Sequence, residues 1–517
     1  MVVSDAGVIA SLVAADGPPA RTPGGAALPV LRLPPGAFIA PGLRDPHVHL
    51  RAAAAAQISV DCATGDVPGL LARLHARALM TPPGGWVRGW GYDESGLAER
   101  RPPSAGELDT AGAGHPVVVH HRTGHLAVAN HAALVALGVP LHGPPGVDDV
   151  GVERDATGRV TGLLVDAHPL LRRAPHLDPA ALDGAVAGLG AQLSRAGVTA
   201  VTDATATNDL ADIEQLHRWA AAGLLPARLR AFVAPTAVRD AVAAEVPIPP
   251  QARSGAPSAP PGCLVVGAKV VAPAGDIPGL IRLARRDGWP VAVHATDVEE
   301  LAAALGALQH LGPPRWGRDR IEHAGLVLPE QRRLLARLGV AVVSNPAFLA
   351  LRGSKYVEML SAVERQWLYP VRSLLRSGVL VAAASDAPVT PPEPLLAVTA
   401  ASTRAVGEGP ARGAVLGSGE RVRIPWALAL VTTLAGRVDG LDVRVAPGNP
   451  ADLVVLSRTP APGPDTSGRV AGALRVLATV VDGRPLMLDP RLDARDFDHV
   501  GGAHTVSDTD GEPDSST

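Results

Sequence analysis

The sequence predicts an α/β fold: a (β/α)8 TIM barrel with a small composite β-domain built from both chain ends. Three observations predict it. From about residue 47 to residue 435, short apolar runs alternate with Ala/Leu/Arg-rich stretches of helical length. Those runs are apolar along their whole length, as parallel strands covered on both faces are. Strand-like runs broken by Gly/Pro turns, with no helices between them, occur at the two chain ends. A doubly wound open sheet is the alternative, and the lack of a G-x-G-x-x-G phosphate loop weighs against it.

The elements follow in order. GVIASLV, ALPVLRL and AFIAPGL read as short strands within the first 40 or so residues. PGLRDPHVHLR opens the barrel. HPVVVHH, GVTAVTDA, ARLRAFVA, CLVVGAKVVA, WPVAVHA, DRIEHA, GVAVVSN and GVLVAAASDA are the apolar runs that follow. Between them lie DPAALDGAVAGLGAQLSRAG, IPGLIRLARRDG, VEELAAALGALQHLG and LPEQRRLLARLG, several ending in the Gly that closes many helices. The span from about 80 to 170, which contains WVRGWGYDES, is too long for one barrel connection and reads as an insertion. DLVVLS and RVLATVVDGRPL bring strands back after residue 436, to pair with those of the N-terminus. The predicted organisation is therefore residues 1–46 with 436–490 as the β-domain, 47–435 as the barrel, and 491–517 as a polar, acidic, disordered tail.

Bulk properties set limits. The chain has 517 residues, ample for a large core, and a formal net charge of −3. That balance gives no general attraction to nucleic acid or anionic membrane. Two cysteines, Cys62 and Cys263, make no disulfide framework. The N-terminus lacks a basic signal region, and no apolar run approaches the roughly 18 residues of a transmembrane helix. The expectation is a cytoplasmic protein acting on a small molecule, with homo-oligomerisation left open.

Candidate chemistry lies at strand ends, where barrels of this kind carry their active groups. Asp45, His47 and His49 occupy alternate positions, which in an extended strand face one side and suit a divalent metal. Lys269 stands inside an apolar run, where a bare ammonium is costly. Only Lys269 and Lys355 are lysines in a chain that otherwise uses arginine, so an amine at Lys269 invites a specific role. His294, His323 and Asp386 end three later runs. Other groups read as structural: Glu322 on the strand face opposite His323, His120 and His121 bonded to backbone, Trp86, Trp90 and Tyr92 as packing, and the two cysteines as buried small residues. Asp203 reads as an outer support of the site.

The ordered set of HxH, a mid-chain lysine, two later histidines and a final Ser-Asp resembles the amidohydrolase superfamily. WVRGWGYDES, GHLAVAN, RIEHAGLVLPE and YPVRSLLRSGVLVAAASDAPV resemble its amidohydrolase family 3 branch of metal-dependent hydrolases, from about Gly7 to Pro485. The resemblance implies His47, His49, His294, His323 and Asp386 as metal ligands and Asp386 as general base. It implies Lys269 as a carboxylated bridge, giving two ions with that modification and one without, zinc before iron or manganese. It places His125 near the substrate. Thr123 and Asp166 stand where relatives have Asp and Glu, so Asp166 belongs to the substrate region as a departure. The implied reaction is hydrolysis of a non-peptide C–N bond by metal-activated water. DPHVHLR also resembles cyclic amidases of the dihydroorotase and hydantoinase type, in which the arginine matching Arg51 contacts a substrate carboxylate. A catalytically silent binding protein on the same scaffold is the third reading.

Overall fold

The computed structural model describes residues 1–4, 6–12, 31–144, 146, 149–244, 246, 262–271, 275–458, 474–492 and 504–505. The chain falls into two compact units. One consists of Met1–Val48, Gly190–Ser385 and Pro392–Thr517, the other of His49–Leu189 with Asp386–Pro391.

The first unit holds an eight-stranded parallel sheet. Its strands are β1 (Leu43–Val48), β2 (Val198–Asp203), β3 (Arg228–Val233), β4 (Cys263–Val270), β5 (Val291–Ala295), β6 (Arg320–His323), β7 (Ala341–Ser344) and β8 (Val381–Ala383). They neighbour one another in chain order, every pair parallel, which is the (β/α)8 barrel pattern. β8 packs against β1. There the Ser385 amide and hydroxyl donate to the Asp45 carboxylate at 3.1 and 2.5 Å. Burial pushes the Asp45 carboxyl up to about 6, against the bonds from Ser385 and His47 that favour the anion.

The strands read as apolar because both faces are covered: Val291, Val293, Ala341, Val342, Val343 and Val381 are fully buried. Helices Ile277–Arg285, Val298–Leu311 and Pro329–Leu338 match the predicted stretches. Gly339 closes the last of them in the left-handed region, as a residue without Cβ does readily. The interior also carries buried arginines. Arg44 pairs with Asp439 at 2.7 Å, and Arg320 lies over the Phe232 ring at 4.4 Å.

A five-stranded sheet joins the two chain ends. Phe38–Pro41 runs antiparallel to Leu453–Leu456, followed by Val476–Val481, Arg484–Leu488 and His504–Thr505. Of the segment read as a disordered tail, 493–503 and 506–517 lie outside the described residues, as does most of the run ALPVLRL.

The second unit has a six-stranded sheet in the order Val60–Asp61, Val87–Tyr92, Val117–His121, Leu126–Ala129, Val160–Val165, Val152–Arg154. HPVVVHH, read as a barrel run, belongs here instead. It pairs parallel with Val87–Tyr92 and antiparallel with Leu126–Ala129, so its apolar run covers a separate mixed sheet. Leu70, Leu74, Val87, Leu108, Val117, Val119 and Cys62 form the core under that sheet. No helix among the described residues is long and apolar enough to cross a membrane.

Candidate metal centre

β1 delivers His47 fully buried. Its Nδ1–H donates to the Glu322 carboxylate at 2.5 Å, which assigns the proton to Nδ1 and the lone pair to Nε2. Glu322 is completely buried and also pairs with Arg320 at 2.5 Å. Burial alone would raise its carboxyl; the charges of Arg320 and Lys269 and the hydrogen bond from His47 hold it well below the usual carboxylate range. This corrects the reading of Glu322 as a structural residue on the strand face opposite His323. Strand alternation fails here because His323 has φ +66° and Ala324 φ +48°, so the chain leaves the extended conformation at His323.

His323 ends β6. Its Nδ1–H donates to Asn345 Oδ1 at 2.8 Å, and Asn345 Nδ2 donates to the Ala384 carbonyl at 3.1 Å. The second bond fixes the orientation of the amide, and the amide fixes the tautomer of the histidine. The rings of His47 and His294 lie 5.0 and 4.5 Å from that of His323, centre to centre. Lys269 on β4 is 2 % exposed, and its charge reaches Glu322. The barrel unit thus gathers His47, Lys269, His294 and His323. Three imidazoles in ring contact, two with Nδ1 committed to an acceptor, fit a divalent transition metal in donor type and tautomer.

The second unit brings together His49 and Asp386. β1 stops at Val48, so His49 is not a strand residue; it is the N-cap of helix Leu50–Ile58. Its Nε2 is 3.0 Å from Asp386 Oδ1, and its amide donates to the Ala387 carbonyl at 2.8 Å. Asp386 also has a left-handed backbone, φ +60°. Such a conformation costs of order 1–3 kcal/mol in a non-glycine residue and concentrates at functional sites. Both His323 and Asp386, ending two different strand runs, carry it.

His125 and Asp166 meet at 2.7 Å, Nδ1 to Oδ1, with His168 near them. His168 drew no attention in the sequence; its signal was DAH, a carboxylate and an imidazole two residues apart. Arg51 is exposed in the first turn of its helix. His121 bonds backbone as expected, its Nδ1 accepting from the Thr123 amide at 3.2 Å, and its Nε2 also faces Glu94 at 3.2 Å. Asp203 accepts from Asn208 and the Thr205 amide, bracing the loop after β2. Burial pushes the Cys62 thiol up to about 12, as an unreactive buried cysteine requires.

A parallel eight-stranded barrel with histidines clustered at its strand ends defines the fold class, a (β/α)8 barrel. Comparison with known proteins narrows it. The amidohydrolase family profile matches residues 35–487, and the chain belongs to that family. N-substituted formamide deformylase of Arthrobacter pascens is 30% identical over 492 residues, 87% of this chain and 88% of that one. Among solved structures, an uncharacterized metal-dependent hydrolase of Pyrococcus horikoshii superposes with TM-score 0.63 at 22% identity, over 84% of this chain and 88% of the other. Another from Pyrococcus furiosus does so with TM-score 0.59 at 21% identity, over 82% and 88%. These two bear on the fold.

Proposed function

We propose that the chain hydrolyses a non-peptide C–N bond of a small molecule, an N-substituted formamide or a related amide, with the help of a divalent metal, zinc first. The observation that carries the reading is the imidazole group of His47, His294 and His323, with the tautomers of His47 and His323 fixed by their Nδ1 partners. Family membership and the formamide deformylase relative support the reaction class.

The family resemblance implies His47, His49, His294, His323 and Asp386 as the residues that would hold the ion. Lys269, if carboxylated, would bridge a second one. When bound, such a metal acidifies water into a nucleophile near neutral pH and polarises a carbonyl oxygen. The chain's own residues do the rest. Asp386 accepts the proton of the attacking water and returns it to the departing nitrogen, so the amine leaves neutral and the acyl group leaves as the acid. Its Oδ1 stands 3.0 Å from His49 Nε2, so the two side chains present neighbouring ligand atoms. His125, aligned by Asp166, presents its other nitrogen to the amide. The substrate is a small molecule met in the cytoplasm.

The test pairs elemental mass spectrometry with hydrolysis of N-benzylformamide. The wild type is expected to hold one or two metals per chain at the barrel centre and release formate. Asp386→Asn should lower kcat by at least 10³-fold, the scale of a lost proton-transfer group with impaired ligation. A metal-free wild type after reconstitution, or an Asp386→Asn variant of undiminished rate, would refute the reading.

A further inference from the structure

Two groups in the second unit bring nitrogen and oxygen ligand atoms within 4.8 Å of one another: Asp93, Glu94 and His121, and His125, Asp166 and His168. The first is already satisfied. Asp93 accepts from the Ser95 amide and hydroxyl and lies 3.6 Å from the Arg122 guanidinium, a fixed cation beside the carboxylate. The second differs. Among the described residues, the ion-pair contacts of Asp166 are with the two imidazoles, and none is with arginine or lysine.

We propose that His125, Asp166 and His168 form a further divalent-metal site, with ligands distinct from the imidazoles of the barrel. The site is built by a strand pair. His125 immediately precedes Leu126–Ala129 and Asp166 immediately follows Val160–Val165, and these strands are antiparallel with Val165 opposite Leu126. The two ligands therefore stand across from each other at one end of the ladder, tied by the Asp166 amide donating to the His125 carbonyl at 2.7 Å. His168 follows at the start of helix His168–Leu171.

The distances suit an ion. Asp166 Oδ1 is 2.7 Å from His125 Nδ1 and 4.0 Å from His168 Nε2. Ligand bonds of 2.0–2.1 Å in tetrahedral geometry put neighbouring donor atoms about 3.3 Å apart. The observed edges bracket that value, and small side-chain rotations equalise them. Two imidazoles and one carboxylate are a facial ligand set that leaves positions open. The side chains of His125, Asp166 and His168 are 42%, 23% and 46% exposed, so an ion reaches them from solvent without local unfolding. On binding, the metal displaces the proton that Nδ1 of His125 now shares with the carboxylate.

The experiment loads metal-free full-length protein with zinc(II), dialyses it and counts zinc by elemental mass spectrometry. Wild type, His168→Gln, His168→Asp and His294→Gln are compared, with circular dichroism to verify folding. The wild type is expected to hold one zinc more than His168→Gln, and His168→Asp, which restores a ligand, is expected to regain it. A double variant, His168→Gln with His294→Gln, should hold one zinc fewer than His294→Gln alone. Equal counts in wild type and His168→Gln would overturn the proposal. Loss in both His168 variants would mark a structural role and overturn it as well. The two failures separate cleanly: a count that ignores His294→Gln but responds to His168→Gln would sink the barrel reading and leave this one standing.

Discussion

Glu322 bears on the chemistry more than its place in RIEHA suggests. It joins His47, Arg320 and the field of Lys269, all inside the barrel. Removing its charge leaves the shape but weakens the acceptor for His47 Nδ1–H, lowering the basicity of Nε2. Outer partners of metal-bound histidines contribute about 10–100-fold to affinity. Glu322→Gln should therefore weaken zinc binding by that factor in a chelator competition. It should also cost about 3–5 kcal/mol of stability, because Arg320 is left buried without its counter-charge. Unchanged affinity would remove Glu322 from the positioning role. Much at this scale was legible: His47, Lys269, His294 and His323 are gathered by strands whose apolar runs are plain in the sequence. Glu322 and Asn345 were not, because their roles depend on a left-handed turn at His323 and on a neighbouring strand, and neither leaves a periodic signal.

At the scale of the element, the strand Val117–His121 shows what periodicity conceals. Its residues read as any parallel barrel strand, and only pairing partners assign it to the mixed sheet of the second unit. The strand also stores a pH dependence. Burial, with the charges of His168 and Arg88, lowers His120 from its ordinary 6.5 to about 4. The folded chain thus refuses a proton that the unfolded chain accepts. The resulting stability is complete above pH 6.5 and lost as pH falls from there to about 4. Between pH 7 and pH 5 the loss is at most about 2 kcal/mol, less to the degree that solvent screens the partly exposed ring. His120→Phe keeps a ring beside Trp90, which lies 5.9 Å away. Urea unfolding of that variant should lose correspondingly less stability over the same interval. Identical pH profiles would show that His120 is free to charge in the folded protein.

For the whole molecule, composition turns chemistry into a probe. The barrel and the β-sheet shared by both chain ends were legible, because repeated apolar runs and terminal strands are global patterns. The extent of the second unit, His49–Leu189 with Asp386–Pro391, was not: it begins at the last histidine of HxH and borrows six residues from far along the chain. Across 517 residues only Lys269 and Lys355 carry a side-chain amine. An amine-directed reagent therefore reads two positions besides the N-terminus. Lys269 is 2 % exposed on β4, whereas Lys355 is only half-buried on helix Ala347–Met359. Reagent can meet Lys269 only through opening of the barrel, which the parallel ladder makes rare. Acetylation of the native protein, followed by peptide mass spectrometry, should modify Lys355 at least 100-fold faster than Lys269, with the two rates converging in denaturant. Comparable rates in the native state would mean that the amine of Lys269 is reachable by solvent, and a carboxylated, metal-bridging lysine inside the barrel would then have to be abandoned.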